Sequence, residues 1–426
     1  MSLLRGPLAE RDFLFFFLAR LASGTSLQIL NVGLGWLVWE RTADPFALGL
    51  LGLLAFLPSL LFVLPAGHLA DRLDRRRVVA AGWSLAALAA AGLALSVLAG
   101  VVAVWPVFAL AFLVGCARTL AMPGQAALVP SLVPASLLRE AVALASMAFQ
   151  TATVAGPAIG GLLWLSGGFA VFATALCGFL STVALVLAIA PRPLPAAAEP
   201  ASLERLLEGF RFIRSERVVL GAIALDALAV LLGGATALLP IFARDILAVG
   251  PVGLGALRAA PAVGALVTAS VLARFPLERR VGRSLLAAVA VFGLAMAGFG
   301  LSTSFPLSFA FLFAAGAADM VSVVIRQTLI QLETPDALRG RVAAVNSLFI
   351  GASNELGEFE SGILAGLVGP VPATVAGGLA TVAVVLVWPQ LFPELAARDR
   401  LAPPTPSDGR GARKRSEGGT GAPPPP

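Results

Sequence analysis

Apolar residues run along this chain in long blocks, separated by short polar breaks. Blocks of crossing length fall near 13–38, 48–68, 78–98, 105–127, 141–165, 169–190, 218–242, 253–273, 284–301, 306–330, 341–367 and 371–391. A helix needs about 20 apolar residues to cross the hydrocarbon core of a bilayer. The pattern therefore predicts an all-α membrane protein with twelve transmembrane helices. The first block is too long, and too interrupted at Arg20, to be a cleaved signal peptide.

The polar breaks predict an orientation. With the N-terminus placed in the cytoplasm, 24 of the 30 Lys and Arg residues fall on that side, and only Arg41 and Arg244 fall on the other. Cytoplasmic loops carry such an excess, so both termini and the 191–217 connector are expected there. Trp36, Trp39, Trp105 and Trp164 fall near outer ends, and Trp83 and Trp388 near inner ends.

The chain also repeats. Shifted by 201 residues, Pro134 meets Pro335, Leu137 meets Leu338, Ser146 meets Ser347, Gly156 meets Gly357 and Gly161 meets Gly362. Shifted by 203, Pro58 meets Pro261, and the basic loop at 70–78 meets another at 273–281. The predicted organisation is a six-helix bundle over 1–190, a cytoplasmic connector over 191–217, a parallel-repeat six-helix bundle over 218–395 and a disordered tail over 396–426. Parallel halves with a site at their interface are a transporter architecture. In the connector Leu203, Leu206, Leu207, Phe210 and Ile213 recur at helical spacing, which predicts an amphipathic helix at the inner surface.

Composition narrows the classes. Of 426 residues 58% are hydrophobic and 13% charged, and the mean hydropathy is +0.91. A water-soluble enzyme, a disordered chain and a disulfide scaffold are thereby excluded. The net charge of +6 comes from arginine, with Lys414 the single lysine. Because those arginines sit in the loops of one side, they indicate topology and not nucleic acid. Cys116 and Cys177 lie in apolar stretches, and one histidine, His68, cannot build a His-based metal site.

Two motifs carry a resemblance. The stretch Gly67-His68-Leu69-Ala70-Asp71-Arg72-Leu73-Asp74-Arg75-Arg76-Arg77 resembles the loop 2–3 signature of the major facilitator superfamily, with Asp74 where a glycine is usual. Ala152-Thr153-Val154-Ala155-Gly156-Pro157-Ala158-Ile159-Gly160-Gly161 is similar to the Gly-Pro motif associated with antiporters, with Ala152 replacing its first glycine. Thr334-Pro335-Asp336-Ala337-Leu338-Arg339-Gly340-Arg341, with Asn346, looks like the branch containing enterobactin-type siderophore exporters. The resemblance spans nearly all of 10–395. It implies that Asp71 ties the halves together on the inner side in one conformational state, and that Gly156-Pro157 controls leakage and direction. Without the resemblance, Arg72, Arg75, Arg76 and Arg77 serve topology, and Gly156, Pro157, Gly160 and Gly161 serve close packing. Pro157 lacks a helix donor, and Gly156 with Gly160 permits close helix approach.

Charges inside the apolar blocks are the most informative residues. Each costs about 2.5–3.5 kcal/mol at mid-bilayer on insertion scales, so each is expected to pair or to line a watered cavity. The first half holds Arg20 and Arg118. The second holds Asp226, Arg258, Asp319, Arg326, Glu355, Glu358 and Glu360. Arg118 and Asp319 are equivalent at the 201 shift, and Arg20 and Asp226 fall near equivalence. Pairs of opposite sign so related can meet near the pseudo-twofold axis; Arg118 and Asp319 are expected to form a cytoplasmic-side gate, approaching when the cavity opens outward and separating when it opens inward. Pairing within one half, such as Asp319 with Arg326, is the alternative. Glu358 follows Asn354 by four residues and precedes Ser361 by three, so the three share a face and both neighbours can hydrogen-bond it. Glu355 lies one turn before Glu358, and two carboxyls in a low dielectric resist ionising together, so the pair can hold a proton. The candidates for proton coupling are Glu358, then Asp226 and Glu355; a structural carboxyl bonded to backbone is the alternative for each.

No P-loop, HExxH, CxxC pair or nucleophile elbow is present in the sequence. The expected function is secondary active transport by alternating access, as proton-coupled export of a small organic molecule such as a siderophore or drug. Proton-coupled uptake, or a non-transporting receptor or scaffold of the same fold, are the alternatives. No enzymatic role, cofactor, metal or nucleic-acid partner is expected. The expected setting is the cell inner membrane, with substrate, protons and lipid as partners and the chain as a monomer.

Overall fold

A computed structural model describes residues 6–190 and 203–401; the side chain of Asp71, assigned above to the inner-side tie, lies outside the described set. All regular elements among the described residues are helical. The first half comprises α1 (Arg11–Thr42), α2 (Pro45–Arg72), α3 (Arg75–Leu98), α4 (Val104–Leu132), α5 (Leu138–Leu163) and α6 (Gly168–Leu187). A short α7 (Leu203–Ser215) leads to the second half: α8 (Arg217–Gly233), α9 (Leu239–Ile241), α10 (Gly250–Arg274), α11 (Val281–Leu301), α12 (Phe305–Glu333), α13 (Arg339–Val368) and α14 (Pro370–Leu391). A final turn, α15 (Pro393–Ala396), follows.

Local chemistry sets the breaks. Ala43 takes a left-handed conformation after α1. Asp44 then caps α2, accepting from Phe46 N at 2.9 Å, with Pro45 in the first turn where its missing donor costs nothing. Asp74 caps α3 in the same way.

Packing follows the repeat. In the first half α1 lies on α5 and α6, α2 on α4, and α3 on α4 and α6; the second half mirrors this with α8 on α13 and α14, α10 on α12, and α11 on α12 and α14. The halves meet through two seams, α5 against α10 and α2 against α13. The architecture is two parallel six-helix bundles.

Among the described residues, eleven helical segments are long and apolar enough to cross a membrane by composition, and α13, as long as the others, is the twelfth and carries Glu355, Glu358 and Glu360. Two details depart from the sequence reading. The seventh crossing is not one continuous helix over 218–242. It breaks after Gly233 into a 3-10 turn at Ala235–Leu238, the short α9 and a π-turn at Phe242–Ile246. Ordered chain also continues past 396. Val281 N and Gly282 N donate to the carbonyls of Asp399 and Arg398, and Arg398 pairs with Glu333. The rest of the tail, 402–426, lies outside the described residues.

The connector helix does more than lie on a surface. Ile213 is buried, Phe210 stacks on Phe349 at 6.3 Å, and Glu208 meets Arg341 at 2.5 Å, so α7 docks on the first turns of α13.

Candidate functional site

A cavity of about 110 Å³ lies between the halves, walled by α1, α2 and α4 on one side and by α10 and α13 on the other. Four charged side chains face it: Arg118, Arg258, Glu355 and Glu358. Arg118 Nη1 stands 3.7 Å from Glu355 Oε1, across the halves. Glu358 rests on the bare backbone of Gly52, where a Cβ would lie 2.9 Å from its Oε2 and 3.8 Å from Glu355 Oε2. Arg258 rests likewise on Gly35, with Nη2 at 3.1 Å from a Cβ position, and its buried Nε has no hydrogen-bond partner. Two glycines on the first half thus make room for an acid and a base of the second. Two cations against two carboxyls give a set of groups whose pairing can be exchanged for a bound proton or a charged ligand.

A second charged cluster lies inside the second half. Arg326 forms an ion pair with Asp226, both nearly fully buried, and Asp319 lines a small void beside Asp226 and Ser322. The pair is a charge contact and not an aligned hydrogen bond, since Nε and Nη1 of Arg326 lack hydrogen-bond partners. Arg20 stays in its own half, donating from Nε to Ala145 O at 2.9 Å beside the ring of Phe149.

In this conformation Arg118 meets Glu355 and not Asp319, and Arg20 lies against Ala145 and Phe149 and not Asp226. Pairing within the second half holds for Asp226 with Arg326. Asn354 does not bond Glu358; its Nδ2 donates to Ile350 O at 2.9 Å, and Ser361 Oγ donates to Gly234 O at 3.3 Å. Both are drawn to carbonyls, Asn354 to one in its own helix and Ser361 to one at the break after α8. Arg258 is the member of the site that sequence reasoning left unassigned. Its signal was available, since it is one of four cations within the apolar blocks.

The loop 2–3 arginines act as struts in the first half. Arg75 Nη1 donates to Ala127 O at 2.9 Å near the end of α4, and Arg76 Nη1 donates to Ile189 O beyond α6. Cations suit helix C-termini. Arg76 also grips Asp74, with Nη2 to Oδ2 at 2.6 Å. That hydrogen bond from the Arg76 side chain holds the Asp74 carboxyl below its ordinary pKa.

The Gly-Pro motif forms a seam at the end of the molecule away from the connector. Gly156 and Gly160 pack on α1 of their own half. Gly161 faces the carbonyl of Pro251, and Gly255 faces the carbonyl of Pro157, each at 2.4 Å from a Cβ position. The repeat places Gly362 on Gly49 at the other seam, and Gly52 on Glu358. Trp39 Nε1 donates to Asp245 Oδ2 at 2.9 Å at the same end, a cross-half bond the sequence did not announce. Contact between α2 and α13 reaches down to Phe56 and Gly351. At the connector end, Gly67 and Gly340 have no described heavy atom within 4 Å of a Cβ position. Among the described residues, these close contacts between the halves lie toward the far end.

Two parallel six-helix bundles around a charged central cavity define a membrane transporter of the major facilitator type. Comparison with known proteins agrees. The profile of the family described as transmembrane secretion effector matches residues 4–404, and the chain belongs to that family. The enterobactin exporter EntS of Escherichia coli O157:H7 is 28% identical over 396 residues, 92% of this chain and 95% of the relative. EntS of Citrobacter koseri is 27% identical over 391 residues, 92% and 94% of the two chains. Among solved structures, an inward-facing bacterial homologue of the lysosomal transporter Spinster superposes with a TM-score of 0.70 at 16% identity, covering 90% of this chain and 96% of that one. An inward-facing bacterial homologue of ferroportin gives 0.67 at 17% identity, covering 93% and 100%. The relatives are transporters and not enzymes.

Proposed function

We propose that this chain exports a small organic molecule of the siderophore class in exchange for protons, by alternating access. The observation that carries the reading is the cavity between the halves, where two carboxyls of α13 stand against Arg118 and Arg258. Glu358 is the primary proton carrier, with Glu355 its partner and Asp226 the second site. Protonation of Glu358 releases Arg258 and alters packing on Gly52, which biases one state of the carrier over the other. The full-length likeness to enterobactin exporters supports export and the substrate class.

The arginine asymmetry supports a cytoplasmic location for both termini and the connector, with residues 1–190 and 218–395 as the two moving units. In that orientation the close contacts between the halves lie on the outer side, which supports reading this conformation as the one that loads an exported molecule from the cytoplasm. Arg118 and Asp319 remain the proposed partners of the opposite state. Single cysteines at Ala43 and Val249, in a background lacking Cys116 and Cys177, should react with an impermeant thiol reagent from outside, and one at Ser202 should not.

The deciding assay uses purified protein in liposomes and enterobactin as the probe. The wild type should move it against its gradient when a pH gradient is imposed. Glu358→Gln should abolish that accumulation and retain substrate counterflow. If Glu358→Gln still accumulates substrate under a pH gradient, Glu358 is structural and Asp226 takes its place.

A further inference from the structure

Arg258 also walls a space beyond the central cavity. The same side chain lines a second void of about 120 Å³ enclosed within the second half by α8, α10, α11 and α12. Its polar wall comprises Thr236, Arg258 and Asp319, and its apolar wall includes Phe292 and Met296. Asp319 and Phe292 in turn line a third void of about 10 Å³, shared with Asp226 and Ser322. The three voids therefore follow one another, with Arg258 and Asp319 as the shared walls.

Three observations indicate what fills them. Arg258 Nε, Ser322 Oγ and Arg326 Nε are buried polar atoms without a protein partner, and they lie on residues that flank this row. Buried polar groups are normally satisfied by protein or by ordered water. The larger void has room for several waters, and the smaller is close to the roughly 10–15 Å³ that a single water needs. The backbone of the seventh crossing is broken at Gly233–Thr236, along the same wall. Irregular backbone at membrane depth is tolerated where it is buried in protein or lines a water-filled cavity.

We propose that the second half encloses a chain of bound waters that runs from Arg258 past Asp319 to the Asp226–Arg326 pair, joining the two charged clusters by a route separate from the substrate cavity. The charged groups facing it are Arg258 at one end, which also lines the central cavity beside Glu355, Glu358 and Arg118, and Asp319 and Asp226, with its partner Arg326, at the other. Given the proton coupling proposed above, on which this consequence rests, a proton leaving Glu358 reaches Asp226 without crossing the space that holds substrate.

Hydration is measured without substrate. In the full-length protein in lipid nanodiscs, X-ray-generated hydroxyl radicals label side chains that touch bound water. Met296, 5% exposed, should be labelled in the wild type, at a rate within about tenfold of exposed Phe210 on α7. Ala315→Leu fills the larger void and should lower labelling of Met296 at least fivefold with Phe210 unchanged. Thr236→Val, which keeps the shape and removes a polar partner, should lower it as well. An unlabelled Met296 in the wild type overturns the water chain and leaves proton-driven export standing. Ala315→Leu protein that is dry by labelling should also lose at least tenfold in pH-driven enterobactin accumulation and keep counterflow. A dry variant that accumulates substrate like the wild type overturns the relay; a wild type indifferent to the pH gradient overturns the coupling itself.

Discussion

The seam between α5 and α10 makes Gly255→Ala a sharp test of how this conformation is held. A Cβ at position 255 would lie 2.4 Å from the carbonyl oxygen of Pro157 and 3.2 Å from Cα of Ala158. Both are backbone atoms, so no side chain can swing aside. Contact at an ordinary distance requires the helices to part by about 1 Å, and overpacking of this kind costs about 1–3 kcal/mol. The penalty applies only while the far end is shut, so the ratio of this state to one open at that end should fall about 5- to 160-fold. Spin labels at Trp105→Cys and Leu301→Cys read that ratio as a distance distribution, since both residues are exposed at the far end, one in each half. Cys116 and Cys177 are replaced to give a clean background. Gly255→Ala should add or enlarge a longer-distance population. Gly366→Ala is the matched control, because nothing lies within 4 Å of its Cβ position. If the two variants give the same distribution, the seam does not hold the far end closed.

Trp39→Phe removes the indole donor to Asp245; with Asp245 half exposed, the loss should be about 1 kcal/mol, seen as a shift of roughly fivefold in the same distribution. Asp226→Asn or Arg326→Gln alone leaves a buried charge unpaired and should cost about 3–5 kcal/mol, lowering folded yield and thermal stability. The double change should recover most of that stability and not proton-driven export; recovery of export would make the pair purely structural. Asp74→Asn keeps a good cap for α3 but loses the charged grip on Arg76, and should cost about 1 kcal/mol. Because the folded carboxyl titrates below the unfolded value of about 3.9, its contribution is complete above that value and is lost as pH falls through the folded one. Thermal unfolding of wild type and Asp74→Asn should therefore differ at pH 6 and converge in strong acid.

Much of this arrangement was legible from residue order because the membrane simplifies the code. Each crossing must satisfy its backbone internally, so apolar length alone located the helices, and the matches at shifts of 201 and 203 gave the two halves. The break at Gly233–Gly234 was not legible, since two glycines in an apolar run read equally as packing residues. The charge pairing was only half legible. Symmetry relates positions, but it does not say that side chains at related positions touch in a given state. Arg118 and Asp319 are related by the axis, yet Arg118 reaches Glu355, because the gap left by Gly52 brings α13 close to α2.

That gap also shows how a symmetric scaffold can give an asymmetric carrier. At one seam Gly255 receives the carbonyl of Pro157, a contact between backbones that has one stable form. At the equivalent seam Gly52 receives the carboxyl of Glu358, the residue that replaces Pro157 in the repeat. The first contact is indifferent to protons. Under the coupling proposed above, the second would change charge on protonation, and with it the demand for Arg258 and the packing against α2. A single replacement in a duplicated motif would then make one seam indifferent to protons and the other sensitive to them. Glu358→Pro should therefore remove proton dependence while making the two seams alike, and in the spin-label assay its distribution should no longer respond to pH between 5 and 8 as the wild type does. A pH response that survives in Glu358→Pro assigns the sensitivity to another carboxyl, with Asp226 the next to test.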